Sequence, residues 1–538
     1  MGWTSARERA APLSRAVVAG AAAAVFALGA TVRAAPTGPA PRPIAFVPID
    51  DRPVTYQLPI LLGQIAGQPV LTPPRSTIGH YLDPGKPDAI LDWLDSSATD
   101  NVAAVVASSD MIVYGGLVAS RLPGLPVYDG YARLRRLGAL AAARPNRFMS
   151  VFGTVMRLAP TGIAKIGPAE DYYATGQTVN EIAAYANLPD PPATAQERAR
   201  AAHLRALITP KILDEYLGAR ARNRDVDLFI LQLAAEGDFA HVILGQDDAG
   251  PVGLHIKDLQ ALMTARERFG VEDQTSIEPG ADELGMVLVS EVMARTVHWT
   301  PRIRVVYSRP DGGAMQDRIE YVPIDVTVSR LIHACGGERV DGDADLTLYV
   351  RVAPTGEPEE ASFVDQIVAD VDAGKPVTIA DLSFLYGPTP SQQQQQLTLD
   401  LIARHVAGRV DGYASWNTTA NTVGTSLATA VAAGAGRRAG RLNERALAQF
   451  LLDRYADDFA FHQFVRPVIN ADLRAEHVDT TYLVNGALAQ GDQQNRELLW
   501  PQALDLLREI FPDWEDAGLT ITLPWERTFE TQLDVRLR

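Results

Sequence analysis

Val242-Ile-Leu-Gly-Gln-Asp247-Asp248-Ala-Gly250-Pro251 is an apolar run that stops on two adjacent carboxylates and a Gly-Pro breaker. His255 to Leu262 then resumes with helical spacing. A buried strand followed directly by a helix is the repeating unit of α/β proteins. It delivers Asp247 and Asp248 to the strand's C-terminal end, where such sheets bind their ligands.

The same punctuation recurs on both sides. Downstream, Thr275-Ser-Ile-Glu278 reads as a strand that leads into Pro279-Gly280-Ala281-Asp282-Glu283 and then a helix. Upstream, Asp171 to Phe239 is helical by pattern and broken at Pro191-Pro192. That excursion is too long for a simple crossover, so a helical insertion beside the sheet is expected. Earlier still, Ile44 to Ile49 is a strand ending on Asp50-Asp51-Arg52-Pro53, and Pro69 to Thr72 holds a short one. Val102 to Ala107 is a continuous apolar run of parallel-sheet type that ends on Ser108-Ser109-Asp110, with Tyr114-Gly115-Gly116 beyond. Arg147 to Thr154 ends at Met156-Arg157.

From Arg302 a second set of strands begins: Ile303 to Tyr307, Asp345 to Val350, and Lys375 to Ala380, which ends on Asp381 and Ser383. Asp411 to Thr422 is the most polar-aromatic stretch, carrying Tyr413, Trp416, Asn417 and Asn421 ahead of a helix. Asn443 to Tyr455 and Glu497 to Ile510 are helical, and strand-like runs at 519–523 and 533–537 flank Pro524-Trp525-Glu526-Arg527-Thr528-Phe529-Glu530. The expected class is α/β, with mainly parallel sheets and flanking helices. An N-terminal α/β domain over 35–300 (insertion 171–239), a second over 301–435 and a mostly helical region over 436–538 follow from this pattern. The alternative is a closed (β/α)8-like barrel with residues 302–370 inserted.

Residues 1–34 read as an export signal. Arg7, Arg9 and Arg15 precede the apolar run Ala16 to Ala30, and Val32-Arg33-Ala34 offers a small-residue cleavage site. Fifteen apolar residues fall short of the roughly 20 that span a bilayer, so periplasmic or extracellular export is expected rather than stable membrane insertion. Cys335 is the only cysteine, which excludes an internal disulfide and a cysteine-rich metal site. A net charge of −16 makes nucleic acid a poor partner, because that binding rests on cations neutralising phosphates. No cofactor motif is present, and no tight His pair exists among nine His to hold zinc.

The strand-end clusters are the candidate site. Asp247, Asp248, Asp282 and Glu283 are the candidate catalytic carboxylates; Asp282 and Glu283 also suit a plain helix start, where acids favour the positive dipole end. Asp50, Asp51 and Arg52 fit ligand binding or a structural ion pair. Ser109 lacks the Gly-x-Ser-x-Gly elbow of a nucleophile, so Ser109, Asp110 and Tyr114 are read as binding or capping groups. Arg157 is placed as an anion clamp. Asp381, Tyr413, Trp416, Asn417 and Asn421 complete the expected binding set. Flat rings beside amides suit a sugar's apolar face and hydroxyl edge, although a packed Trp with Asn caps would look the same.

Taken together, Asp50 to Pro53, Ser109-Asp110 with Tyr114 to Arg121, Met156-Arg157, Gly245 to Asp248, Gly280 to Glu283, Tyr413 to Thr422 and Pro524 to Phe529 resemble a bacterial family catalogued as domain of unknown function 4127. The likeness runs from about Ile44 to Glu530. It implies no particular chemistry. On the residues themselves, a glycosidase-like hydrolase with paired carboxylates acting on a glycan or small-molecule substrate is the leading reading. A metal-dependent phosphate or ester hydrolase and a non-catalytic carbohydrate-binding protein are the alternatives.

Overall fold

The structure, a computed structural model, describes residues 40–161, 176–352, 356–383 and 392–538. The export segment read at 1–34 and the start of the expected insertion at 171–175 lie outside the described residues.

Apolar runs become two open, wholly parallel sheets. The first contains β1 (Ile44–Val47), β2 (Val70–Leu71), β3 (Ala104–Ser108), β4 (Phe148–Val155), β5 (His241–Gln246) and β6 (Thr275–Pro279), in the order β2-β1-β3-β4-β5-β6. The second contains β7 (Arg302–Tyr307), β8 (Glu338–Arg339), β9 (Leu346–Arg351), β10 (Val377–Asp381) and β11 (Gly412–Ser415), in the order β11-β10-β9-β7-β8. Both sheets are open-edged, so the barrel alternative is overturned: each chain reversal adds strands on the far side of the first strand rather than closing a ring. The two sheets are wound alike, with the second strand on one side of the first and the later strands on the other. In such sheets the crevice outside the strand C-termini, where the order reverses, is the ligand position.

Between the sheets lie two helices buried along nearly all their length, Leu284–Thr296 and Thr419–Arg438, which pack on each other. Their apolar residues join Phe46 of β1 and Leu348 of β9 in one continuous core. A helix buried all round needs apolar or small residues on every face, and the Ala, Gly, Ser and Thr of 419–438 allow that close approach. On the other face of the first sheet sit the 26-residue helix Pro210–Ala235 and the helices around it. Residues 436–538 are mostly helical and end in an antiparallel hairpin of β12 (Asp516–Thr522) and β13 (Gln532–Leu537). The loop between those strands carries Trp525, Arg527 and Phe529 back to the first sheet.

Gly245 marks a tight backbone approach at a strand end. A Cβ there would lie 2.2 Å from the Gly280 carbonyl oxygen and 2.5 Å from Leu284 Cδ1. Backbone has little room to retreat, so Gly245→Ala is expected to destabilise the protein by about 1–3 kcal/mol, read as a lowered urea midpoint with unchanged slope. An unchanged midpoint would show that β5 and the Gly280 turn are free to separate.

Candidate functional site

At the C-terminal ends of β1, β5 and β6, roofed by the turn after β11 and by the β12–β13 loop, a cavity of about 370 Å³ opens. Its wall includes Arg52, Arg157, Asp247, Asp248, Asp282, Glu283, Trp416, Asn417 and Asn421. Nine residues singled out on sequence grounds, from the ends of five separate strands, are thus brought to one place.

The turn after β1 sets the electrostatics. Arg52 donates from Nε and Nη2 to Asp50 (3.0 and 2.7 Å) and from Nη1 and Nη2 to Asp282 (2.8 and 2.6 Å). A planar guanidinium serves two carboxylates at once because its donors diverge in a fixed fork. The Trp525 ring stacks 4.8 Å from the same guanidinium. Burial alone would raise Asp282, but Arg52 outweighs it and holds the carboxyl below its usual value.

The turn after β5 supplies a contrasting pair. Asp247 is closed off by an ion pair with Arg121. Asp248 lines the cleft with 45% of its side-chain surface open, and its nearest cation is Arg157 at 3.7 Å. Crowding by protein and the charge of Asp247 push Asp248 up to about 6. Arg157 also donates from Nε to the Ala159 carbonyl (2.8 Å); burial and Arg121 hold it below its ordinary value.

Gly280 makes the turn after β6 with φ +96°, a conformation that favours glycine, and a Cβ there would collide with Glu283 Oε1. Glu283 itself is 1% exposed. Burial, with Asp282 and Glu320 nearby, raises it well above the usual carboxylate range.

Trp416 also has a left-handed backbone, φ +70°, an uncommon state for a bulky residue that often marks a functional turn. Its ring stacks nearly parallel on His462, with Phe529 edge-on at 5.3 Å and the Arg466 guanidinium at 5.1 Å. One face of Trp416 is therefore already covered by protein. The helix that follows is capped by Thr418, whose Oγ1 accepts from the Asn421 amide at 3.3 Å. The expectation that Asn417 or Asn421 serves as the cap is corrected, and both line the cleft.

Other sequence candidates are placed behind the cleft or away from it. Asp51 is buried, accepting from Trp525 Nε1 (2.8 Å) with His80 Nδ1 at 3.0 Å. Burial raises it, but these hydrogen bonds hold it below its usual value. It anchors the β12–β13 loop to the first sheet and does not line the cavity. Ser109 donates to the Phe152 carbonyl (3.2 Å), and Asp110 accepts from the Thr154 amide and hydroxyl (2.9 Å each), pushed up to about 7 by burial. Tyr114 is packed under the Arg222 guanidinium. Asp381 pairs with buried Arg351 at 3.3 Å, and Tyr413 is enclosed by Thr398, Ser415 and Tyr455 at the second sheet. Local composition made these look like binding groups; none of them lines the cleft.

The cleft is also less acidic than its strand ends imply. Arg52, Arg121, Arg157 and Arg527 line it beside the carboxylates, and of these Arg121 and Arg527 were not among the residues expected at the site. Arg121, Trp525, Arg527 and Phe529 had sequence signals, an Arg one turn past Gly116 and a Trp-x-Arg-x-Phe cluster, but nothing local tied them to the sheet. A smaller chamber beside Asp282 is lined by Arg454, the last residue of the helix Glu444–Arg454, and by Asp457, Asp458 and His462 of the π-helical stretch that follows, Tyr455–Val465, which sequence periodicity does not reveal. Among the described residues no group of three or more His, Cys, Asp or Glu is arranged to hold a metal ion.

The family model described as "Protein of unknown function (DUF4127)" matches residues 44–534, nearly the whole chain. The chain belongs to this family. No curated protein matches it. No helix among the described residues is long and apolar enough to cross a membrane.

Proposed function

We propose that this DUF4127 protein is an exported carbohydrate-active hydrolase of glycosidase type, with Asp248 as the general acid and Asp282 as the ionised partner. The observation that carries the reading is that two carboxylates lining one cleft are driven in opposite directions. Asp248 rises to about 6, while Asp282 is held low by Arg52. Carboxylates separated in this way are what glycosidic cleavage needs: one gives a proton to the leaving oxygen, and the other stays negative beside the oxocarbenium-like centre.

The remaining wall supports a sugar. Trp416, Trp525 and Phe529 supply apolar surface, and Asn417 and Asn421 supply donors and acceptors for hydroxyls. In this scheme Arg52 positions Asp282 and keeps it ionised, and Asp247, tied to Arg121, holds the turn that presents Asp248. The expected export signal at 1–34 agrees with a polymeric substrate outside the cell, and export is part of the proposal.

The reading predicts a pH profile. The acid must be protonated, so kcat/KM is expected to fall as pH rises through about 6. The acidic limb lies below the ordinary carboxylate range, because Asp282 must lose its proton and does so early. A panel of aryl glycosides assayed from pH 3 to 9 tests this; activity still rising above pH 7 would remove Asp248 as the acid. Tight sugar binding with no turnover of any glycoside would replace the hydrolase with a carbohydrate-binding protein.

A further inference from the structure

Beside the cleft, and sharing Val118, Arg121, Arg157, Arg527 and Phe529 with it, lies a second cavity of about 340 Å³. Arg121, Arg157, Arg466, Arg474 and Arg527 line it, and its described lining residues include no carboxylate. Its other polar groups are neutral: Tyr81, Thr161, Asn470, Thr480, Thr481 and Thr528. Arg121, Arg157 and Arg527 have acidic partners outside the cavity, Asp247, Asp248 and Glu530. Arg466 is held differently. Its guanidinium lies over the Trp416 and Phe529 rings (5.1 and 4.9 Å to the centroids), and its buried Nε has no hydrogen-bond partner.

We propose that the substrate is an acidic saccharide, whose oxyanion substituent, a carboxylate or a sulfate ester, seats among these five arginines while the scissile bond lies between Asp248 and Asp282. The inference rests on the hydrolase reading and deepens it. Five guanidinium groups around one concavity exceed the three carboxylates that pair with Arg121, Arg157 and Arg527 from outside it, and an anion seated among them offsets the remaining repulsion. Burial, opposed by Glu530 and reinforced by Arg527, brings Arg466 down to about 10, consistent with that unrelieved crowding. The guanidinium fork matches the planar edge of a carboxylate and the paired oxygens of a sulfate. A concentrated positive pocket in a chain of net charge −16 is also a local feature, not an overflow of a basic surface.

Titration calorimetry at constant ionic strength tests the site with three probes: inorganic sulfate, glucuronate and glucose. Sulfate and glucuronate are expected to bind, and glucose at least about tenfold more weakly, as loss of one charge-assisted contact implies. Arg474→Gln, at an exposed position that leaves the fold intact, and Arg466→Gln should each weaken sulfate and glucuronate by about tenfold or more. Sulfate and glucuronate binding no tighter than glucose, or equally well to wild type and both variants, would overturn the proposal. The two readings fail separately. Anion binding with no glycoside turned over would remove the hydrolase and leave the arginine site standing. Turnover of neutral glycosides without anion binding would do the reverse.

Discussion

Asp248→Asn is expected to lower kcat on glycosides with poor leaving groups by roughly 10²–10⁴-fold while changing ligand affinity only a few-fold. The substitution keeps the size of the side chain and removes only the transferable proton. Its surroundings permit the change, since the nearest cation is 3.7 Å away and the side chain is 45% exposed. The thermal midpoint should therefore stay near that of the wild type. Aryl glycosides with good leaving groups need less protonation, so their loss should be visibly smaller. That graded response separates a proton donor from a group that merely shapes the cleft. A uniform loss across leaving groups, or a loss that tracks unfolding, would sink the assignment.

Arg52→Met should be the most damaging single change to stability, by about 3–5 kcal/mol. Methionine preserves much of the volume but strands two carboxylates. Asp50 has 4% of its side chain exposed and Asp282 20%, and Arg52 neutralises both. The variant also loses the guanidinium stacked on Trp525, a contact that helps hold the β12–β13 loop over the cleft. The pH dependence has a definite sign. Asp282 is held low in the native protein, so its contribution to stability is present above its unfolded value, about 3.9, and fades as pH falls through the folded value. Without Arg52 the stranded carboxylates take up protons more readily, and the penalty shrinks. Denaturant midpoints of the two proteins should therefore converge as the solution is acidified. A gap that is constant from pH 7 to pH 4 would show that lost packing, not unpaired charge, dominates.

The two predictions concern residues that differed in how far the sequence announced them. Asp248 stands at the end of an apolar run before Gly250-Pro251, a position that an α/β reading assigns to the ligand edge without further information. Arg52 was equally visible beside Asp50 and Asp51, yet its decisive partner is Asp282, 230 residues away. Asp51 and Asp110 looked like members of the cleft by the same rule and are not. The strand-end rule says which edge of the sheet a residue reaches. Whether its side chain then turns toward ligand or toward a buried donor depends on neighbours from elsewhere, His80 and Trp525 for Asp51, and Thr154 for Asp110.

The α/β class, the parallel strands and the delivery of carboxylates to strand ends are all encoded locally. A continuous apolar run, a polar stop and a helical period are each legible within a dozen residues, because they follow from burial on both faces and from helix geometry. The four-residue β11 escaped for the same reason, since its Gly and Ser blend into a polar-aromatic stretch. What required the folded chain was the pairing: Arg52 with Asp282, Arg121 with Asp247, and the Trp525–Phe529 loop roofing a sheet formed hundreds of residues earlier. Charge is a long-range interaction screened or strengthened by whatever is packed around it, so the same aspartate is an acid, an anchor or a buried strut according to partners that adjacency in sequence does not name.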